Sequence, residues 1–270
     1  MITEIRRPAV AGLFYPDRPD QVEADLSRLI QDVEPKVNPK ALVVPHAGWM
    51  YSGGVAGQVY GRVQIPRLAV LLGPNHTGLG PWGSIMTRGR WVFPGGELPV
   101  ASELGQAILA ASRMLEEDTL AHAREHALEV QLPFLRRIQP GVTFVPITLM
   151  RTDLAFCEEV WRAVAAAVKA CPEPVALISS TDLNHYESQA ISNRKDQLAI
   201  DAILSLDPER LQRTVREHQI SMCGIAPTTA LLAALRELGG GSAELVRYQT
   251  SGDVSGDYDR VVGYCGIIIT

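Results

Sequence analysis

With 270 residues, 46% hydrophobic and 20% charged, the chain has the composition of a folded globular protein and not of a disordered or fibrous one. Its length suits one α/β core. A formal charge of -5 without any Lys/Arg cluster excludes a surface built to neutralise phosphates, so no nucleic acid or membrane partner is expected. A small-molecule substrate or a short peptide is the expected ligand. Residues 1–16 hold no long apolar segment of the secretory kind, and no run of about 18 apolar residues occurs, which leads to a cytoplasmic expectation. Cys157, Cys171, Cys223 and Cys265 lie far apart without CxxC spacing, so neither a zinc knuckle nor a dense disulfide framework is expected.

In chain order, the first aliphatic run is ALVV at 41–44, followed at once by PHAGWMYSGG, which carries His46. LAVLL at 68–72 runs into GPNHTGLG, which carries His76. Ser102 then stands as a cap before ELGQAILAASRMLEE, a helical pattern over 103–117. A second helical stretch is expected through EHALEVQLPFLRRI at 125–138, with Leu128, Leu132 and Leu135 at core-facing spacing. There Glu125 and Glu129 fall one turn apart, and Glu125, His126 and Glu129 either line a pocket or solvate a helix face.

VTFVPI at 142–147 reads as a strand, Asp153 as the cap of a helix over 154–170, and VALIS at 175–179 as a strand leading to Asp182 and His185. Asp207 and Pro208 open another helix. Cys223 lies just ahead of a helix whose start is marked by Pro227 and Thr228, and AELVRYQT and RVVGYCGIII extend the sheet. The strands are apolar throughout, as for strands covered on both faces, so one three-layer α/β/α domain over 1–270 is expected.

Chemistry collects where three of these strands run into Gly/Pro-punctuated loops bearing His46, His76 and the Asp182/His185 pair. Ligands of open α/β sheets bind outside the carboxyl ends of strands, so such loops can converge on one crevice. A single loop histidine is more often a structural or surface residue, and three in the same context weigh against that. For Cys223 two readings compete, a small buried hydrophobe or a thiolate favoured by a helix amino terminus. Two imidazoles and a thiolate suit iron, copper or zinc and leave open positions. Asp182 and His185 are the candidates for proton transfer, with Asp182 orienting the imidazole, or Asp182 is only a loop cap. A rival is HxxEH at His122, Glu125 and His126, which on a helix would place two imidazoles one turn apart as in inverted zinc peptidases. It lacks an evident third ligand.

PAVAGLFYP, PHAGWMYSG, GPNHTG, EHALEVQLPFL, SSTDLNHY, CGIAP and TSGDVSGDYDRVVGY together resemble the Memo family, called AmmeMemoRadiSam system protein B in prokaryotes. The resemblance runs from residue 8 to 264. It implies a mixed sheet flanked by helices, similar to the catalytic subunit of class III extradiol dioxygenases. It also implies one transition metal ion per chain on His46, His76 and Cys223, with iron(II) or copper favoured over zinc. Asp182 and His185 match the adjacent catalytic pair, with His185 at the place of the dioxygenases' acid/base histidine. Glu125 and His126 match a motif beside the pocket, which His122 lies outside. Cys223 stands where those dioxygenases have a carboxylate, so ring cleavage does not carry over. The resemblance further implies a functional link to a radical SAM enzyme and an AMMECR1-like protein.

Overall fold

The computed structural model describes residues 4–270. Its strands are β1 (Ile5–Arg6), β2 (Ala41–Val44), β3 (Leu68–Pro74), β4 (Gly83–Ile85), β5 (Arg90–Phe93), β6 (Gly96–Pro99), β7 (Glu116–Glu117), β8 (Thr143–Leu149), β9 (Val175–Ser180), β10 (His185–Glu187), β11 (Ala243–Thr250) and β12 (Val261–Ile269). The helices are α1 (Pro19–Leu29), α2 (Trp49–Gly61), α3 (Ser102–Ala111), α4 (Leu120–Ala123), α5 (Leu132–Ile138), α6 (Leu154–Ala170), α7 (Gln189–Leu204), α8 (Pro208–Glu217), α9 (Ile225–Glu237) and α10 (Gly252–Ser255).

The main sheet has nine strands in the order β10-β12-β2-β9-β3-β8-β4-β7, with β11 paired to β12. β2, β9, β3 and β8 run parallel, whereas β12 is antiparallel to β2 and β4 is antiparallel to β8, so the sheet is mixed. Side chains alternate across it. Ala41 and Val43 of β2 and Val70 and Leu72 of β3 face a core built with α3, α6, α7 and α9. Leu42, Val44 and Leu71 face the other core, with α1, α2 and α5. Both faces are thus covered, which is why these strands are continuously apolar. The expected α/β three-layer arrangement is what the chain adopts. A three-stranded sheet, β1-β5-β6, lies beside it.

Two caps form as expected: Asp153 accepts the Phe156 N–H at 3.2 Å and Asp207 accepts the Arg210 N–H at 2.8 Å. Four helix expectations need correction. α3 stops at Ala111, because Ser112 Oγ accepts the N–H groups of Met114 and Leu115, both at 3.1 Å, and residues 116–117 pair with β4 instead. Ser102 lies inside α3 and makes no cap; the capping position is Ala101. α9 starts at Ile225, so Pro227 lies within its first turn and Thr228 bonds Ser179 Oγ at 2.9 Å.

The stretch 122–138 is not one helix but α4, a loop, a 3-10 turn at Glu129–Gln131, and α5. Local chemistry breaks it. The carboxylate of Glu125 accepts the N–H groups of His126 and Ala127, both at 2.9 Å. Arg6 donates to the carbonyl oxygens of His122 and Glu125 at 3.0 and 2.6 Å, using acceptors a continuing helix would need.

Candidate metal centre

His46, His76 and Asp182 each stand two residues beyond the carboxyl end of a strand, β2, β3 and β9, and these three strands are neighbours in the order β2-β9-β3. Parallel pairing in register, with Val44 opposite Ser180, therefore delivers the three residues to one edge of the sheet. Cys223 arrives from the turn before α9. Gly224 allows that approach, since a Cβ there would lie 2.3 Å from Thr181 Cβ. The Gly224 N–H also donates to Thr181 Oγ1 at 3.0 Å.

The donor atoms of His46, His76 and Cys223 lie within 4.8 Å of one another. His46 Nε2 is 3.2 Å from Cys223 Sγ. Zinc-type bond lengths of about 2.0 Å to nitrogen and 2.3 Å to sulfur separate tetrahedral ligand atoms by about 3.5 Å, so the spacing suits a shared ion.

The ring orientations suit it too. Ser180 Oγ donates to the Ala127 carbonyl at 2.7 Å, which leaves its lone pairs for Gln131 Nε2 and His46 Nδ1, each at 3.1 Å. His46 consequently carries its proton on Nδ1 and turns the Nε2 lone pair toward Cys223. His76 Nδ1 lies 2.9 Å from Glu125 Oε1, and its backbone N–H donates to Glu125 Oε2 at 2.5 Å. Both ligand candidates are oriented as metal-binding histidines usually are, by an acceptor behind the ring.

Burial, and then the neighbouring His76, hold His46 down at about 3, so it is neutral. Burial alone would raise the Glu125 carboxyl, but the hydrogen bond and charge of His76, the charge of His126 and the Ala127 N–H bring it down to about 2. The group formed by His76, Glu125 and His126 could also hold a cation on spacing alone. Glu125, however, already accepts three backbone N–H groups and a ring N–H, so it serves as the support behind His76. His126 stacks on His76, with centroids 4.6 Å apart and 21° between planes, and the Phe14 ring also packs against it at 4.6 Å.

Three expectations change here. Of the two readings of Cys223, the one in which a helix amino terminus lowers the thiol does not hold for the metal-free protein, because burial, and then the charge of Asp182, push it up. Asp182 does not orient His185. It accepts the His46 backbone N–H at 2.8 Å, and burial raises its carboxyl above the usual range. The His185 ring is instead held by the Ser221 carbonyl, 2.9 Å from Nδ1. The peptidase motif also fails, because His122 and His126 share no helix face. The buried His122 ring lies against Trp91 at 5.5 Å, and neither of its nitrogens has a hydrogen-bond partner among the described residues.

Sequence reading missed Ser180, Gln131, Ser221 and Arg6. Ser180 closes a strand whose aliphatic run gives way to Ser179 and Ser180, the one local signal among them. Arg6, 6% exposed, lies 4.5 Å above Trp91 and pairs with buried Glu129. Glu129 further accepts the Ala9 and Val10 N–H groups at 2.8 and 3.1 Å and the Tyr15 hydroxyl at 2.7 Å, which pins residues 6–15 over the broken helix.

Comparison with known proteins matches residues 6–268 to the family described as Memo-like protein. This chain belongs to the Memo family. "MEMO1 family protein MK0963" of Methanopyrus kandleri is 37% identical over 277 residues, covering 97% of this chain and 98% of that one. A MEMO1 family protein of Thermotoga neapolitana is 41% identical over 281 residues, covering 98% and 100%. A solved structure of the uncharacterized protein JW3007 from Escherichia coli K12 shares the fold, with a TM-score of 0.50 at 12% identity over 84% of this chain and 98% of that one. Among the described residues of this Memo-family chain, no helix is long and apolar enough to cross a membrane.

Proposed function

We propose that this Memo-family protein is a metal-dependent oxidoreductase acting on a small substrate, with one transition metal ion held by His46, His76 and Cys223. The observation that carries the reading is the convergence of three donor atoms from three separate loops within 4.8 Å, with the Nδ1 of both imidazoles engaged behind them. Two imidazoles and a soft thiolate suit iron(II) or copper, and zinc as well. Bound there, the ion would supply a Lewis acid with open positions, redox-active if iron or copper.

The chain's own residues supply the rest. Ser180 and Glu125 orient the two imidazoles, and Asp182 anchors the His46 backbone and donates its own N–H to Cys223 Sγ at 3.2 Å. His185, held at Nδ1, keeps Nε2 as the atom that takes or returns a proton at the crevice. A second reading is a metal-holding protein without turnover. It is favoured by the one-third exposure of the His76 side chain, which leaves the site accessible to a partner or peptide.

The test is metal content after anaerobic purification, by mass spectrometry, for wild type and for His46→Ala, His76→Ala and Cys223→Ser. About one equivalent in wild type, lost in all three variants, supports the site; the same low content in all four refutes it. Retained metal without turnover of a broad panel of phenols and reductants selects the second reading.

A further inference from the structure

His185 and Cys223 come from different parts of the chain, yet a single residue ties them together. Ser221 lies two positions before Cys223. Its Oγ accepts the His185 backbone N–H at 2.7 Å, and its carbonyl faces His185 Nδ1 at 2.9 Å. One serine thus holds both the backbone and the ring of the histidine.

Ser221 is itself held from behind. Its N–H and its hydroxyl both donate to Asn184 Oδ1, each at 3.2 Å. Asn184 is 1% exposed, and its side-chain amide donates to Glu187 Oε2 at 2.7 Å and Ser192 Oγ at 3.1 Å. Those partners leave one orientation for the amide, with Oδ1 toward Ser221. The Asn184 backbone N–H donates to the buried Asp196 at 2.8 Å, which anchors the assembly to α7. In β10 the register with β12 shifts between His185 and Glu187, and Tyr186 has a φ of 63°. A bulge of this kind re-aims a side chain next to a functional site.

We infer that Ser221 is a positioning residue that keeps His185 in the Nδ1–H form, with Nε2 turned to the crevice, and couples that orientation to the occupancy of Cys223. The inference rests on the reading of Cys223 as a metal ligand for its second half only. A ligand bond at Cys223 draws on the segment Ser221–Met222–Cys223, so the two hydrogen bonds to His185 report it. The serine side chain is exposed, so replacing it leaves the core untouched.

The experiment is nitrogen NMR of the full chain labelled at histidine, with the His185 signals identified by their loss in His185→Gln. In wild type a single Nδ1–H tautomer is expected. Ser221→Ala keeps the carbonyl at Nδ1 but removes the hydroxyl that ties Ser221 to the His185 backbone and to Asn184, so the carbonyl is held less firmly, the tautomer ratio should shift about fivefold and the Nδ1 proton should exchange about fivefold faster. Ser221→Thr, which keeps the hydroxyl, should restore both. Adding zinc chloride, a diamagnetic probe that suits the donor set, should move the His185 signals in wild type and move them less in Ser221→Ala at equal zinc content, where only the carbonyl contact remains. An unchanged tautomer in Ser221→Ala, or a threonine variant as perturbed as the alanine one, overturns the positioning role. A wild-type protein that binds zinc without any movement of His185 overturns the coupling. A wild type that binds no zinc refutes the metal reading and the coupling with it, while the tautomer result still decides the positioning role.

Discussion

His76 and Glu125 are joined twice: the ring Nδ1 and the backbone N–H of the histidine each reach one oxygen of the same buried carboxylate, at 2.9 and 2.5 Å. The carboxylate has no exposure and is kept ionised by the donors around it. A loop histidine that would otherwise rotate is therefore held in one tautomer and one orientation.

Replacing Glu125 by Gln keeps the shape but removes the charge that makes His76 a better ligand. Supporting partners of this kind are worth about 10- to 100-fold in metal affinity. Competition against a chelator should show a loss of that size, and wild-type affinity in the variant would refute the pairing's role.

Metal uptake should release a proton from Cys223. Burial holds its thiol above the ordinary range, so between pH 7 and 9 it is protonated until it binds, whereas His46 is already neutral. Calorimetry in buffers of different ionisation enthalpy counts the protons. About one proton per bound ion should be released by the wild-type protein, and a count of none would remove Cys223 from the ligand set.

The metal-free protein should be acid-labile. Burial lowers His46 and His122 to about 3 and His126 to about 4. In the unfolded chain each takes a proton below about pH 6.5, so the unfolded state binds more protons and stability falls as pH drops. Stability from these groups is intact above pH 6.5 and is lost at about 1.4 kcal/mol per pH unit for each, until the lowered values are reached. With about 5–15 kcal/mol in hand, unfolding between pH 6 and 4 is expected. Urea denaturation at pH 7 and pH 5 should show a drop about 2 kcal/mol smaller in His122→Leu than in wild type, from 1.4 kcal/mol per unit over about 1.5 units. Equal drops would show that His122 is not the group involved.

Arg6→Ala leaves the Glu129 carboxylate buried without its countercharge, and it also frees the carbonyls of His122 and Glu125. Breaking one side of a buried pair costs about 3–5 kcal/mol, so the urea midpoint should fall accordingly. A change under about 1 kcal/mol would mean that water reaches Glu129 in place of the guanidinium.

The sequence by itself determined six of the strands, β2, β3, β8, β9, β11 and β12, and much of the site's address. Apolar runs bounded by Gly and Pro are local signals, and β2 and β11 begin and end where those runs do. His46, His76 and Asp182 could be singled out because each follows such a run, and the family motifs chose the ligand reading of Cys223 and set Glu125 and His126 beside the pocket. Only the tertiary structure decided how these residues are used. Arg6 breaks the expected helix from more than a hundred residues away, Ser180 sets the tautomer of His46 across 134 positions, and Ser221 takes over the orientation of His185 that Asp182 was expected to provide. The reason is that periodicity and turn chemistry report a residue's near neighbours along the chain. Hydrogen-bond partners and burial, which fix protonation and direction at a site, come from segments that meet only when the sheet is assembled.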